Sequence, residues 1–358
     1  MNVKSVRIHA GKGYTVTIGS GLLNSFGTLL TEAVGLCRIA VITDTNVEKL
    51  YLEPVCAVLQ KAGFEVCSFV FPAGEGSKNL NTLSGILEFL AEHHLTRTDC
   101  VAALGGGVVG DVAGFAAGCY LRGVRYVQIP TTLLAAVDSS VGGKTALDLR
   151  AGKNLAGVFH QPSAVLCDTD FLSTLTPKTF ADGAAEAIKT GVLSGEALFS
   201  QFQTGGFRSR IPQIIADCVT FKGKVVEADE FDASERQTLN LGHTVGHAIE
   251  ACSGYTVSHG HAVAIGMAVI AKASERLGFC AEPVAERIIN SLTQNGLPVS
   301  TSYKVPALAD AALSDKKRSG DSINLVIPRR IGECFLKKVP AAELSAIIGA
   351  GMEDLPCR

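Results

Sequence analysis

Three observations predict an α/β N-terminal half and a mainly α-helical C-terminal half for this 358-residue chain. Short apolar runs alternate with helix-like segments through the first half, the pattern of a mostly parallel sheet. One of these runs, residues 101–104, stops on Gly105-Gly106-Gly107 and restarts as a helix. Beyond Ser173 the strand signals give way to a succession of helices. A division at residues 1–172 and 173–358 follows, with length enough for two cores of ordinary size.

Taken in order, residues 3–18 read as two strands joined at Gly11-Lys12-Gly13, and residues 21–33 as a helix. Residues 38–43, RIAVIT, form a strand that ends at Asp44-Thr45-Asn46. A carboxylate just past a strand's C-terminal end can hold ribose hydroxyls, and it can equally cap the helix that follows. Helix 47–62, strand 65–71 and helix 81–94 continue the alternation. The loop 72–78 between them carries Glu75 and Lys78, which composition alone reads as a solvated turn.

Gly105, Gly107 and Gly110 satisfy G-x-G-x-x-G after a strand short and apolar enough to be buried on both faces. Such a turn brings bare backbone N–H groups and a helix N-terminus against a pyrophosphate, although many Gly-rich βα turns match the pattern. The expectation is a Rossmann-like domain, with its acidic residue upstream instead of about 20 residues downstream. Strand 125–130 runs into Thr131-Thr132 and a second glycine stretch, DSSVGGKT, from Asp138 through Lys144 to Thr145. A Walker A loop would need glycine where Asp138 stands, which disfavours a nucleoside triphosphatase. Lys153-Asn154 and strand 164–168 complete the half.

The second half reads as helices at 181–193, 213–229, 244–253, 262–277 and 283–295, with a strand pair at 323–327 and 333–339. Four of the eight histidines lie between His243 and His261. His243 and His247 share a helix face at i, i+4, and clustering of this kind suggests a metal. HTVGH lacks the glutamate of a metalloprotease helix. Glu186 is a candidate third ligand, with helix-surface pairing to Lys189 as the alternative, and spacing leaves the ligand set open. Lys222, Arg236, Asn240 and the run containing Lys316-Lys317 add cations and amides suited to a small anionic, hydroxylated substrate.

Composition excludes other classes. A net charge of −2 lacks the basic balance that a nucleic-acid partner would require. Eleven cysteines without a C-x-x-C pair fit reduced thiols in a cytoplasmic protein. The N-terminus lacks a continuous apolar core, and the apolar stretch 101–119 is broken by seven Gly or Asp residues, so neither an export signal nor a membrane span is expected.

Six segments together resemble the 3-dehydroquinate synthase family over essentially the whole chain: GGGVVGD, YLRGVRYVQIPTTLLAAVDSSVGGKTALD, GKNLAGVFHQP, DGAAEAIKTG, RQTLNLGHTVGHAIE and HGHAVAIGM. The resemblance implies a phosphate-eliminating carbon–oxygen lyase of aromatic amino acid biosynthesis. Such an enzyme converts 3-deoxy-D-arabino-heptulosonate 7-phosphate into 3-dehydroquinate and phosphate by transient NAD-dependent oxidation, elimination, reduction and aldol closure. It implies NAD as cofactor, with zinc or cobalt on Glu186, His243 and His259, and His247 handling protons beside the metal. The nucleotide would meet Asp44, Asn46, Glu75, Lys78, Gly106, Gly107, Asp111, Thr131, Thr132, Lys144, Lys153 and Thr174. Substrate would meet Asp138, Lys144, Asn154, Lys189, Lys222, Arg236, Asn240, Lys316 and Lys317, with Arg122 reaching in from the second subunit of a homodimer. His261 departs from the H-G-E that the resemblance leads one to expect, and is read as a neutral substitution or an extra ligand. Other sugar phosphate cyclases and, further off, a metal-dependent alcohol dehydrogenase are the alternatives.

Overall fold

The computed structural model describes residues 3–203, 206–314, 318–319 and 321–355. Two compact units emerge. One runs through Leu175 and includes Ile211–Phe231; the other comprises Thr176–Arg210 and the chain from Asp232 onward.

The first unit is built on strands β1 (Lys4–Ile8), β2 (Tyr14–Gly19), β3 (Arg38–Asp44), β4 (Glu65–Phe71), β5 (Cys100–Gly105), β6 (Arg125–Pro130), β7 (Lys144–Leu149), β8 (Gly152–Phe159) and β9 (Ala164–Asp168). Seven of them form one sheet in the order β1-β2-β9-β6-β5-β3-β4, parallel throughout except for the β1–β2 pair. Strand side chains alternate between two faces, and here both faces are covered. Ile39, Val41, Ala102 and Leu104 enter one apolar cluster, while Ala40, Ile42, Val101 and Ala103 enter the other. This is why RIAVIT and VAAL are uninterrupted apolar runs.

Strand β7 and strand β8 form a separate antiparallel hairpin that the periodicity did not disclose. Its residues are half-exposed and its ladder shifts register between Leu147 and Leu149, so no clean two-residue alternation is written in the sequence. Gly142 and Gly143, just before it, have φ of 98° and 67°, a left-handed turn that favours glycine. Helix Ile211–Ala228, which the sequence reading assigned to the helical half, packs against β1 and β2 and belongs to the first unit. No local signal distinguishes it, because an amphipathic helix does not specify which apolar surface it covers.

The second unit holds helices Pro177–Ser194, His243–Cys252, His259–Arg276, Ala285–Gln294, Val305–Ser314 and Leu344–Met352. Strands β10 (Arg318–Ser319), β11 (Ser322–Arg330) and β12 (Glu333–Pro340) form an antiparallel sheet beside them. Among the described residues no helix is long and apolar enough to cross a membrane. Helices His243–Cys252 and His259–Arg276 approach so closely that a Cβ on Gly266 would lie 2.0 Å from the Gly242 carbonyl oxygen. Neither backbone can give way cheaply. Gly266→Ala should therefore cost about 2 kcal/mol of stability, read as a lower midpoint in urea unfolding; an unchanged midpoint would show that the helices do not meet this closely.

Candidate functional site

In the first unit the strand order reverses around β3, with β4 on one side and β5 on the other. At such a switch point the loops leaving the C-terminal strand ends diverge and open a crevice. Asp44 ends β3 and Gly105 ends β5, and Thr43 Oγ1 donates to the Leu104 carbonyl at 2.7 Å to hold the two strands together. The helix Gly107–Cys119 begins here with Gly106 at its cap and no side-chain capping bond, which leaves its first N–H groups for an anion. A Cβ on Gly106 would meet Thr132 Cγ2 at 3.0 Å, and one on Gly110 would meet Gln128 Oε1 at 2.6 Å, so these glycines also set the helix against the sheet. Asp44 caps its own helix, accepting from Asn46 N at 2.9 Å and Val47 N at 3.0 Å, which leaves one carboxylate oxygen outside those bonds.

The loop at 72–78 is largely exposed as far as Gly76, but its end, Ser77 and Lys78, is buried. Lys78 is buried, with Nζ 2.6 Å from Asp111 Oδ2 and donating to Asn154 Oδ1. Burial pushes its ammonium down, but Asp111, Glu75 and Asp148 outweigh this and hold it above its ordinary value. Asp148 accepts from Asn154 N at 2.8 Å, and Lys153 pairs with Glu75 at 3.2 Å. Lys78 thus gathers Glu75, Asp111, Lys153 and Asn154, which are scattered over about 80 residues, into one network.

Nearby in sequence, the π-helical turn Ala135–Ser139 carries Asp138, whose carbonyl and carboxylate accept from Lys222 Nζ at 2.7 and 2.9 Å. The displaced helix Ile211–Ala228 is what delivers Lys222 to Asp138. Thr131 N donates to the Gly105 carbonyl at 2.9 Å, Thr132 Oγ1 accepts from Ala135 N, and Thr174 Oγ1 lies 2.7 Å from Tyr51 Oη. Lys144 is exposed at the start of β7. Arg122 stands at φ 66° after Leu121 at 50°, consecutive left-handed residues that carry strain.

In the second unit Glu186 is 1% exposed at the centre of helix Pro177–Ser194. Its Oε1 lies 3.7 Å from His243 Nε2 and 3.4 Å from His259 Nε2, and Lys189 Nζ pairs with Oε2. The ligating atoms of Glu186, His243 and His259 all fall within 4.8 Å of one another. Neither Glu186 oxygen has a well-formed hydrogen bond. His243 Nδ1 faces the Leu241 carbonyl at 3.1 Å, which requires a proton there and leaves Nε2 as a lone pair in the neutral ring. A carboxylate and an imidazole lone pair aimed at one volume repel unless a cation lies between them, so the donor set fits a divalent metal. Burial pushes the Glu186 carboxyl up, yet the Lys189 ammonium and His259 hold it well below the usual carboxylate range.

His247 lies beside the group, its ring 5.5 Å from His243 and 5.9 Å from His259. His261 faces elsewhere: its Nδ1 is 2.8 Å from Asp182 Oδ1, which also accepts from Ser258 Oγ and His261 N, so it pins the helix start and is not in the Glu186 group. Arg236 is buried, and Asn240 Nδ2 donates to the Gln237 carbonyl at 3.0 Å. Lys316 and Lys317 lie outside the described residues. Glu250, 2% exposed with Oε2 3.2 Å from His259 Nδ1, escaped the sequence reading. Its position at i+3 from His247 and i+7 from His243, on the same helix face, is the signal that could have found it.

A family model described as 3-dehydroquinate synthase N-terminal matches residues 68–182, and one described as 3-dehydroquinate synthase C-terminal matches residues 183–318. The chain belongs to the 3-dehydroquinate synthase family. It is 42% identical over 348 residues to 3-dehydroquinate synthase of Clostridium acetobutylicum, an alignment covering 95% of this chain and 98% of that one. Among solved structures, 2-deoxy-scyllo-inosose synthase complexed with carbaglucose-6-phosphate, NAD+ and Co2+ superposes with TM-score 0.86 at 25% identity, over 96% of this chain and 99% of that one. The 2-epi-5-epi-valiolone synthase of Streptomyces hygroscopicus subsp. jinggangensis, with NAD+ and Zn2+ bound, gives 0.86 at 26% identity over 95% and 97%. The N-terminal model thus covers the glycine turn and the C-terminal model the Glu186–His243–His259 group.

His259 supplies a pH test of this geometry in metal-free protein. Burial pushes its ring down, but Glu186 and Glu250 outweigh it and raise the group from 6.5 to about 10. A raised folded value means that the stabilisation is complete below pH 6.5 and is lost as pH rises through about 10. The ring is about a third open to water, so solvent screens the effect. Chelator-treated wild type should lose stability between pH 6.5 and 10, and His259→Gln should lose less, as read from urea midpoints; equal losses would contradict the paired geometry.

Proposed function

We propose that this chain converts 3-deoxy-D-arabino-heptulosonate 7-phosphate into 3-dehydroquinate and phosphate, a carbon–oxygen lyase reaction in the cytoplasm, as a homodimer. The observation that carries the reading is the convergence of Glu186, His243 and His259 within 4.8 Å, in a chain 42% identical to a 3-dehydroquinate synthase over nearly its whole length. NAD, when bound, accepts and returns a hydride, and a divalent cation such as zinc or cobalt polarises the substrate hydroxyls.

The chain's own residues do the remainder. Glu186, His243 and His259 hold the cation, and Lys189, paired to Glu186, keeps the ligand carboxylate ionised. The bare N–H groups at Gly106 and Gly107 receive the pyrophosphate, with Asp44 and Asn46 on a ribose and Asp111, Thr131, Thr132, Lys153 and Thr174 lining the rest. Lys78 and Glu75 brace that surface through the network around Lys78, in which Lys78 pairs with Asp111 and Glu75 with Lys153. Lys222 is pre-positioned by Asp138, so an anionic substrate meets an ammonium whose rotamer entropy is already spent. Lys144, Asn154, Arg236, Asn240, Lys316 and Lys317 offer further charge and hydrogen bonds, and Arg122 contributes to the neighbouring subunit's phosphate site. His247 holds and moves a proton beside the cation. The choice of substrate rests on Arg236 and Asn240. The division into a nucleotide domain, 1–172, and a metal and substrate domain, 173–358, is proposed with helix Ile211–Ala228 as a segment that the first unit takes back.

Incubation with NAD+, zinc and the heptulosonate phosphate should release phosphate and dehydroquinate in equal amounts without net NADH. Glucose 6-phosphate should release none; turnover of that sugar would favour another cyclase, and steady NADH accumulation would favour a dehydrogenase. His243→Ala should abolish both bound zinc and turnover, and full activity in the zinc-free variant would sink the assignment. Asp44→Ala should cost about 1 kcal/mol of stability through the lost cap and weaken NAD binding at least tenfold in a calorimetric titration; unchanged NAD affinity would leave Asp44 as a cap alone.

A further inference from the structure

We infer that Glu250 is the carboxylate that orients His259 and fixes which of its nitrogens can bind the cation. The inference rests on the reading of Glu186, His243 and His259 as ligands. Glu250 is 2% exposed near the end of helix His243–Cys252, and His259 opens helix His259–Arg276. The turn between them folds back on Glu250: Tyr255 N and Ser253 Oγ donate to its carbonyl, each at 2.8 Å, and Val257 N donates to Ser253 Oγ at 3.2 Å. Backbone and side chain of Glu250 therefore both determine where His259 starts.

Glu250 Oε2 lies 3.2 Å from His259 Nδ1, and a carboxylate facing a ring nitrogen requires a proton on it. A neutral imidazole protonated at Nδ1 presents its one lone pair at Nε2, the atom 3.4 Å from Glu186 Oε1. The two ligand histidines thus differ in their supports. His243 donates to a neutral backbone carbonyl, whereas His259 donates to a buried carboxylate, which raises the electron density at Nε2 and makes it the more basic ligand.

The rival arrangement is a second grouping, in which His247, Glu250 and His259 share a cation and Glu250 is itself a ligand. That grouping needs the Nδ1 lone pair, so the two arrangements require opposite tautomers of the same ring. Of the two carboxylates, Glu186 has buried oxygens without a well-formed hydrogen bond and Glu250 has none, which favours the cation on the Glu186 side.

Zinc affinity of chelator-stripped protein, measured by competition with a chromophoric chelator, tests the inference, together with the visible spectrum of the Co2+ form. Glu250→Gln keeps the size and one acceptor oxygen but removes the charge. It should still bind one zinc per chain, about 10- to 100-fold more weakly, with a shifted Co2+ spectrum, and His247→Gln should bind zinc as wild type does. Glu250→Ala should weaken zinc at least as much; if it does not fold, the isosteric variant decides. Wild-type affinity and an unchanged spectrum in Glu250→Gln overturn the inference, as does an equal loss in His247→Gln, which would make Glu250 a ligand of the other grouping. Wild-type protein that binds no zinc overturns the metal reading itself, an outcome distinct from tight wild-type binding that ignores residue 250.

Discussion

A carboxylate with 1% of its surface exposed cannot remain ionised without compensation, and the second unit is arranged to compensate Glu186. Lys189 follows one turn later on the same helix, and two imidazoles arrive from the N-terminal ends of two other helices. The close helix packing exists to bring those ends together. Gly260 opens a path against the Asp182 backbone, where a Cβ would sit 2.3 Å from its carbonyl oxygen, and Gly266 does the same against Gly242. Small residues here are the geometric condition for a charged centre, since larger ones would separate the helices that bear the ligands.

The first unit solves a similar problem with the opposite sign. Lys78 is a buried ammonium, stabilised by Asp111 and by an amide and carboxylates drawn from the hairpin and the 72–78 loop. A buried cation that touches so many elements fixes their relative positions, and a single neutral residue could not do so. The glycine turn, by contrast, works through what it lacks: without side chains at Gly106 and Gly107 the helix start stays open.

Much of this was legible in the chain. Runs such as VAAL and RIAVIT announce strands buried on both faces, and the glycines after VAAL announce the turn, because an unbroken apolar run and a turn's glycines are both written within a few residues. The hairpin β7–β8 was not legible, since its half-exposed residues and shifted register leave no regular alternation. The loop at 72–78 reads as solvent-facing, and as far as Gly76 it largely is; the burial of Lys78 at its end depends on Asp111 and Asn154, which lie 33 and 76 positions away. Histidine clustering pointed to a metal, yet helix spacing drew attention to His243 with His247, whereas the grouping with Glu186 takes His259 from the next helix.

The sequence by itself determined the α/β and helical halves, the glycine turn, the small net negative charge and, through its motifs, the family. Periodicity, turn chemistry and charge are local properties, and a linear chain states them directly. Only the tertiary structure decided which unit owns helix Ile211–Ala228, that Lys222 meets Asp138, that Lys78 is buried and that Glu250 stands behind His259. Each of these is a pairing of charged or polar groups across long stretches of chain. Such pairings are set by which apolar faces pack together, and no single segment carries that information.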